Sequence, residues 1–198
     1  MVSFLFAVLL LLGTPGPGVL SLAGVGAAFG ASMGVRYFAG LWLGHNLVSL
    51  MVVMGLAAAL ADLPVLRSVL AGIACLYLLW IATKIALAGR EFGFIEKSEA
   101  PGFVGGLFLQ AVNPKAYAVS TTLFAGFPAI VPNPTVEIVL KFAIFNAVWV
   151  LTLGAWLFLG AFLKRLNLSP PAQRRINLAL SFSLAVVVLL AGASLIGR

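Results

Sequence analysis

Long uncharged stretches alternate with short polar ones along the whole chain. They run over residues 1–35, 37–61, 68–83, 100–136 (interrupted by Lys115), 142–163 and 176–197. A helix needs roughly 20 apolar residues to cross the hydrocarbon core of a bilayer. The pattern therefore predicts an all-α polytopic membrane protein with six transmembrane helices. The first stretch holds a helix over about residues 2–28 and then a Gly-rich turn. The third extends to about residue 86, because a lysine such as Lys84 near a helix end can snorkel to the interface. Six spans leave no room for a soluble domain, so residues 1–198 form one integral membrane unit.

Two motifs break this pattern from within. Thr14-Pro15-Gly16-Pro17 interrupts the first span and Asn113-Pro114-Lys115 the fourth, 99 positions apart. Proline removes a backbone donor and clashes with the carbonyl one turn back. The freed backbone groups are tolerated at membrane depth only where protein satisfies them or a wet cavity receives them. Paired interruptions in two halves of a membrane chain mark a transporter binding site. Asn46 with Gly55 and Asn146 with Gly154 repeat at offsets of 100 and 99. Together these predict an inverted three-plus-three repeat with helices 1 and 4 broken. Its halves cover about residues 1–90 and 101–198, joined by a cytoplasmic loop over 89–101.

Charge sets the orientation. Loops one, three and five carry Arg36, Arg90, Lys97, Lys164, Arg165, Arg174 and Arg175, whereas the other side has only Arg67 and Arg198. An excess of Lys and Arg marks the cytoplasmic side, so both termini are predicted to be external. Ser169-Pro170-Pro171 suits the start of span six, since proline is favoured in the first helical turn. The spacings Gly26-x-x-x-Gly30-x-x-x-Gly34, Gly40-x-x-x-Gly44 and Gly102-x-x-x-Gly106 let helix backbones approach closely. They permit a homodimer without requiring one.

Composition agrees: 63% of residues are hydrophobic and only 9% charged, against roughly 25% charged in soluble domains. The net charge of +7 lies between apolar runs rather than along a stripe with aromatics, so nucleic acid is not a partner; the lipid bilayer is. One cysteine (Cys75) and one histidine (His45) leave no disulfide, CxxC pair or metal cluster, and no cofactor is implied. An intramembrane enzyme would need paired aspartates, a Ser/His couple or a metal motif within the spans, and only isolated residues occur. The chain is not read as an enzyme.

The polar residues inside the spans are the candidate site. Lys115 costs roughly 2.5–3.5 kcal/mol near the middle of a span. It serves either a substrate carboxylate, helped by a half-helix amino end, or the freed carbonyls of the kink. Thr14, Pro15, Gly16 and Pro17, with Asn113 and Pro114, would line the pathway. Asn46 and Asn146 either bind the polar head of a substrate or make interhelical hydrogen bonds. His45 is read first as a satisfied structural histidine and second, with Asp62, as a proton carrier. Glu137 and Lys141 stand at i,i+4 spacing and read as an ordinary surface pair. Gln110 lies one turn before the second break. Trp42, Trp80, Trp149 and Trp156 read as belt or packing residues. No carboxylate lies deep in a span, which favours a neutral substrate.

These motifs resemble the LysE/RhtB family of amino-acid exporters. The resemblance is carried by Thr14-Pro15-Gly16-Pro17, by Leu76-Tyr77-Leu78-Leu79-Trp80-Ile81-Ala82-Thr83-Lys84, and by Phe103-Val104-Gly105-Gly106 leading into Asn113-Pro114-Lys115-Ala116. It implies export of amino acids or close derivatives across the bacterial inner membrane, coupled to the proton gradient. It also implies that Pro15, Gly16, Pro17, Asn113, Pro114 and Lys115 lie on the pathway. Gly18 stands where the family often has asparagine, which points to an altered polarity at the first break. An exporter of another small metabolite and a non-transporting structural module are the other readings.

Overall fold

Proline and glycine place most of the helix ends. In the computed structural model, which describes residues 2–55, 64–87, 100–127, 131–166 and 168–196, α1 (Val2–Gly13) ends just before the first motif and α2 (Pro17–Phe29) starts on its second proline. Gly30, at φ +90°, turns the chain directly into α3 (Ala31–Val53); only glycine adopts such a conformation cheaply. Next come α4 (Pro64–Leu87), α5 (Phe103–Val112) and α6 (Pro114–Ser120), which widens into a π-helical turn over Thr121–Ala125. The long α7 (Pro134–Arg165) and α8 (Pro170–Ile196) complete the described chain, α8 opening on the two prolines after Ser169.

Both expected breaks are present. α1 and α2 meet at a bend of 51°, and α5 gives way to α6 at Asn113. At a rise of about 1.5 Å per residue, the 12 residues of α1 reach about 18 Å, roughly half a bilayer. Among the described residues, α7 is long and apolar enough to cross a membrane alone, and α1 with α2 passes as a bent pair. Arg36, expected in a loop, instead lies in the second turn of α3, because Gly30 alone completes the turn.

Three helix pairs make the most extensive contacts: α3 with α5, α2 with α7, and α4 with α8. Small residues explain the first two. Gly40 of α3 lies against the backbone of Phe103 and Leu107, and Gly106 of α5 against that of Tyr37 and Leu41. In the second pair Gly160 meets the Ala23 carbonyl and Gly26 the Leu157 carbonyl. These glycine faces are thus filled from within the chain. In the third pair the Ser181 hydroxyl donates to the Ala82 carbonyl at 2.8 Å. Leu22, Val25, Leu41, Ile81, Leu109, Phe145 and Leu153 fill the shared core, while Phe6, Leu151, Phe158 and Phe182 face outward, as lipid contact requires.

The Glu137–Lys141 pair is not the surface pair its spacing suggested. Both residues are buried, with the ammonium 2.9 Å from the Glu137 carboxylate. The second carboxylate oxygen accepts the Val131 amide at 3.0 Å, and Lys141 donates to the Phe127 carbonyl at 3.2 Å. The Phe4 ring lies 5.5 Å from the Lys141 ammonium and edge-on to Phe127. The i,i+4 rule describes an isolated helix, and here α1 and the chain after the π-turn cover that face.

Candidate functional site

The two helix breaks meet through backbone chemistry. Gly16 caps α2 in an extended conformation and offers no side chain. The first amides of α2 therefore keep the unspent donors that every helix start carries. Asn113 caps α6 differently: its Oδ1 accepts the Lys115 amide at 3.1 Å, and its Nδ2 donates to Gln110 Oε1 at 2.9 Å. Lys115 then reaches across to the first break, where its ammonium donates to the Thr14 carbonyl. Residues 101 positions apart in sequence are joined by that bond.

Gly16 is what admits the lysine. A Cβ added there would stand 2.8 Å from Lys115 Cδ and 3.0 Å from its Nζ. The obstructing atoms are the far end of a flexible side chain, so the protein can relieve the clash by moving the lysine away. Gly16→Ala is therefore expected to fold with nearly unchanged thermal stability while lowering transport at least tenfold. Thermal unfolding in detergent and a transport assay on the same preparation check both halves of this statement.

Beside the Lys115–Thr14 contact lies a cavity of about 20 Å³, room for about one water molecule. Its lining is mostly apolar, with Leu11, Leu12, Val19 and Val119 among the contributors, and His45, Gln110, Asn113 and Lys115 supply the polar part. Trp149 contributes to the wall, and none of its described residues carries a carboxylate. Close contact of Gly44 with Gln110 Cβ and the Leu107 carbonyl holds α3 and α5 in the register that places His45 here.

His45 departs from the satisfied histidine expected of it. It is 3% exposed and packs edge-on against Phe145 and Trp149, with ring centroids 4.9 and 5.0 Å away. It lies beside Lys115 and the Ala116 backbone, yet neither ring nitrogen has a partner at hydrogen-bond geometry, and neither has the Trp149 indole nitrogen. Leaving a buried polar group unsatisfied costs roughly 1–3 kcal/mol. Such groups in a native fold call for an explanation.

The structure gathers only some of the sequence candidates. Gly16, His45, Asn113 and Lys115 share the cavity. Pro17 and Pro114 build the breaks as first residues of their helices. Thr14 enters through its carbonyl alone, because its hydroxyl donates to the Leu10 carbonyl, and Pro15 is exposed beside it. Asn46 and Asn146 bond to each other: Asn46 donates to Asn146 at 3.0 Å and receives from it at 2.8 Å. Each amide also donates to the carbonyl four residues back, Trp42 or Phe142, and Trp42 adds a 2.7 Å bond to Asn146. Asp62 lies outside the described residues. Trp149, Leu11, Leu12, Val19 and Val119 went unrecognised in the sequence; Trp149 stands one turn beyond Phe145 and Asn146, a signal readable only once the inward face of α7 is known.

Comparison with known proteins bears on these features together. A protein called Leucine efflux protein, from Klebsiella pneumoniae subsp. pneumoniae, is 26% identical over 130 residues, 63% of this chain. The match spans about three fifths (61%) of that relative's length. No solved structure matches the chain. The family profile described as LysE type translocator matches residues 9–197, taking in both helix breaks and the lysine at the second of them. The chain belongs to the LysE type translocator family.

Proposed function

We propose that this protein exports neutral amino acids, or close derivatives, across the bacterial inner membrane in exchange for protons. The observation that carries this reading is the Lys115 ammonium resting on the Thr14 carbonyl at a mostly apolar cavity with no carboxylate among its described lining residues. A carbonyl offers an ammonium only a dipole, whereas a carboxylate adds an opposite full charge. An incoming amino acid would displace Thr14 from Lys115 and bring its carboxylate within reach of the uncapped start of α2. Leu11, Leu12, Val19 and Val119 would then face its side chain. The absence of an acidic wall disfavours a cationic side chain, and the leucine-exporting relative agrees with an apolar one.

The cavity is far smaller than the roughly 300 Å³ or more of a site holding a small ligand, so transport requires the helices to move. In our reading six spans form two antiparallel halves, both termini lie outside, and the halves rock about the broken helices. Supporting this arrangement, Asn46 and Asn146 bond reciprocally and repeat the same i−4 carbonyl bond, 100 positions apart. His45 in the cavity and Asp62 near an external span end are the proton-coupling candidates.

The test is efflux. Cells lacking their own exporters are loaded with dipeptides, and release of a panel of amino acids is followed with wild type, Lys115→Ala and Asn113→Ala. Release of a neutral amino acid should rise with the wild type and fall at least tenfold in both variants and on collapse of the proton gradient. Equal release with and without the protein at verified expression would overturn the reading.

A further inference from the structure

We infer that His45 couples the two fluxes by exclusion: the substrate's ammonium group and the transported proton compete for one imidazole lone pair in the cavity. This inference rests on the exporter reading above. An amino acid brings two charged groups to the site, and Lys115 answers only the carboxylate. The ammonium needs acceptors. The Gln110 oxygen already accepts one bond from Asn113 and, as an amide, does not bind a proton, and the Trp149 indole can only donate. The Thr14 carbonyl, once released by Lys115, is one acceptor, and the unpartnered nitrogen of a neutral His45 is the one that also titrates. Both stand at the breaks or on the cavity wall.

A neutral imidazole presents one lone pair. It accepts a hydrogen bond from an ammonium or it binds a proton, and it cannot do both. In the outward-facing state, departure of the amino acid frees the lone pair, and a proton from outside forms an N–H bond there. In the inward-facing state that bond breaks, the proton leaves to the cytoplasm, and the next substrate takes its place. One zwitterionic amino acid leaves for each proton that enters, so one positive charge moves inward per cycle. No other group among the described residues of the wall both accepts a hydrogen bond and titrates in this range. The groups facing His45 are Lys115 and the Ala116 backbone from α6, Gln110 from α5, and Phe145 and Trp149 from α7; α1 and α2 contribute apolar residues and glycine. Lys115 is the one charged group among the described residues of the wall, and it is engaged by Thr14 or by the carboxylate.

The experiment uses the full chain in proteoliposomes with radiolabelled leucine as the probe. Two readouts are compared: leucine–leucine exchange without a pH gradient, and leucine movement driven by an imposed pH gradient. His45→Gln keeps an acceptor oxygen of similar reach but does not titrate. It should retain at least about one fifth of the exchange rate while losing gradient-driven movement at least twentyfold. His45→Phe, lacking an acceptor, should lose both. Each variant is first shown to be monodisperse in detergent. Gradient-driven movement that persists in His45→Gln, or equal loss of both readouts in that folded variant, would overturn the inference. A wild type that moves no amino acid in either mode would instead overturn the exporter reading on which it rests.

Discussion

Gly40→Ala should abolish transport and lower the melting temperature more than a methyl added at any other described glycine. The new Cβ would run into the Phe103 carbonyl, with Leu107 N at 2.8 Å and Phe103 C at 2.9 Å. All three are backbone atoms, so no side chain can rotate away. α3 and α5 must separate along the tightest of their contacts. Overpacking costs typically about 1–3 kcal/mol, and a backbone obstacle puts this case at the upper end. For a chain of this size about 3 kcal/mol corresponds to a fall of roughly 6–12 °C. The functional loss follows from the same displacement, because the neighbouring Gly44 contact sets His45 against Gln110 at the cavity. Gly154→Ala is the control. No heavy atom lies within 4 Å of its added Cβ, so the substitution should leave stability unchanged or raise it by up to about 1 kcal/mol through helix propensity. Tryptophan fluorescence melts of the two variants in one detergent decide the matter; equal melting temperatures would show that the α3–α5 contact tolerates a methyl group.

Lys141→Met should destabilise the protein by about 3–5 kcal/mol, the cost of breaking a buried ion pair from one side. The variant removes the ammonium beside the buried Glu137 carboxylate and the donor to the Phe127 carbonyl. It thereby loosens the junction between the start of α7, the chain after the π-turn and Phe4 of α1. The double variant Glu137→Gln/Lys141→Met should recover most of the loss, since an apolar or neutral replacement of both partners is often nearly neutral. An amide at 137 can still accept the Val131 amide. Melting temperatures of the single and double variants form the check. A single variant as stable as wild type would mean that solvent reaches the carboxylate.

Much of the fold was legible because its causes are local. Proline at 15, 17 and 114 cannot continue a helical ladder, whatever surrounds it, so both breaks could be placed before any packing was known. Gly30 was foreseen as part of a turn, though not as the whole of it. That single residue at positive φ draws Arg36 into α3. The small-residue spacings were visible too, but their partners were not. Gly40 and Gly106 belong to separate motifs that face each other, and nothing in either motif names the other.

The sequence by itself determined the apolar lengths, the two helix breaks, the lysine at the second of them and the absence of a carboxylate deep in the spans. These follow from residue chemistry and spacing along one chain. Tertiary structure alone decided which of these groups meet. It set Lys115 on the Thr14 carbonyl, joined Asn46 to Asn146, buried Glu137 with Lys141, and left His45 and Trp149 at a small cavity without hydrogen-bond partners. Burial and partnership depend on what the neighbouring helices present, and a helix's own sequence does not contain its neighbours.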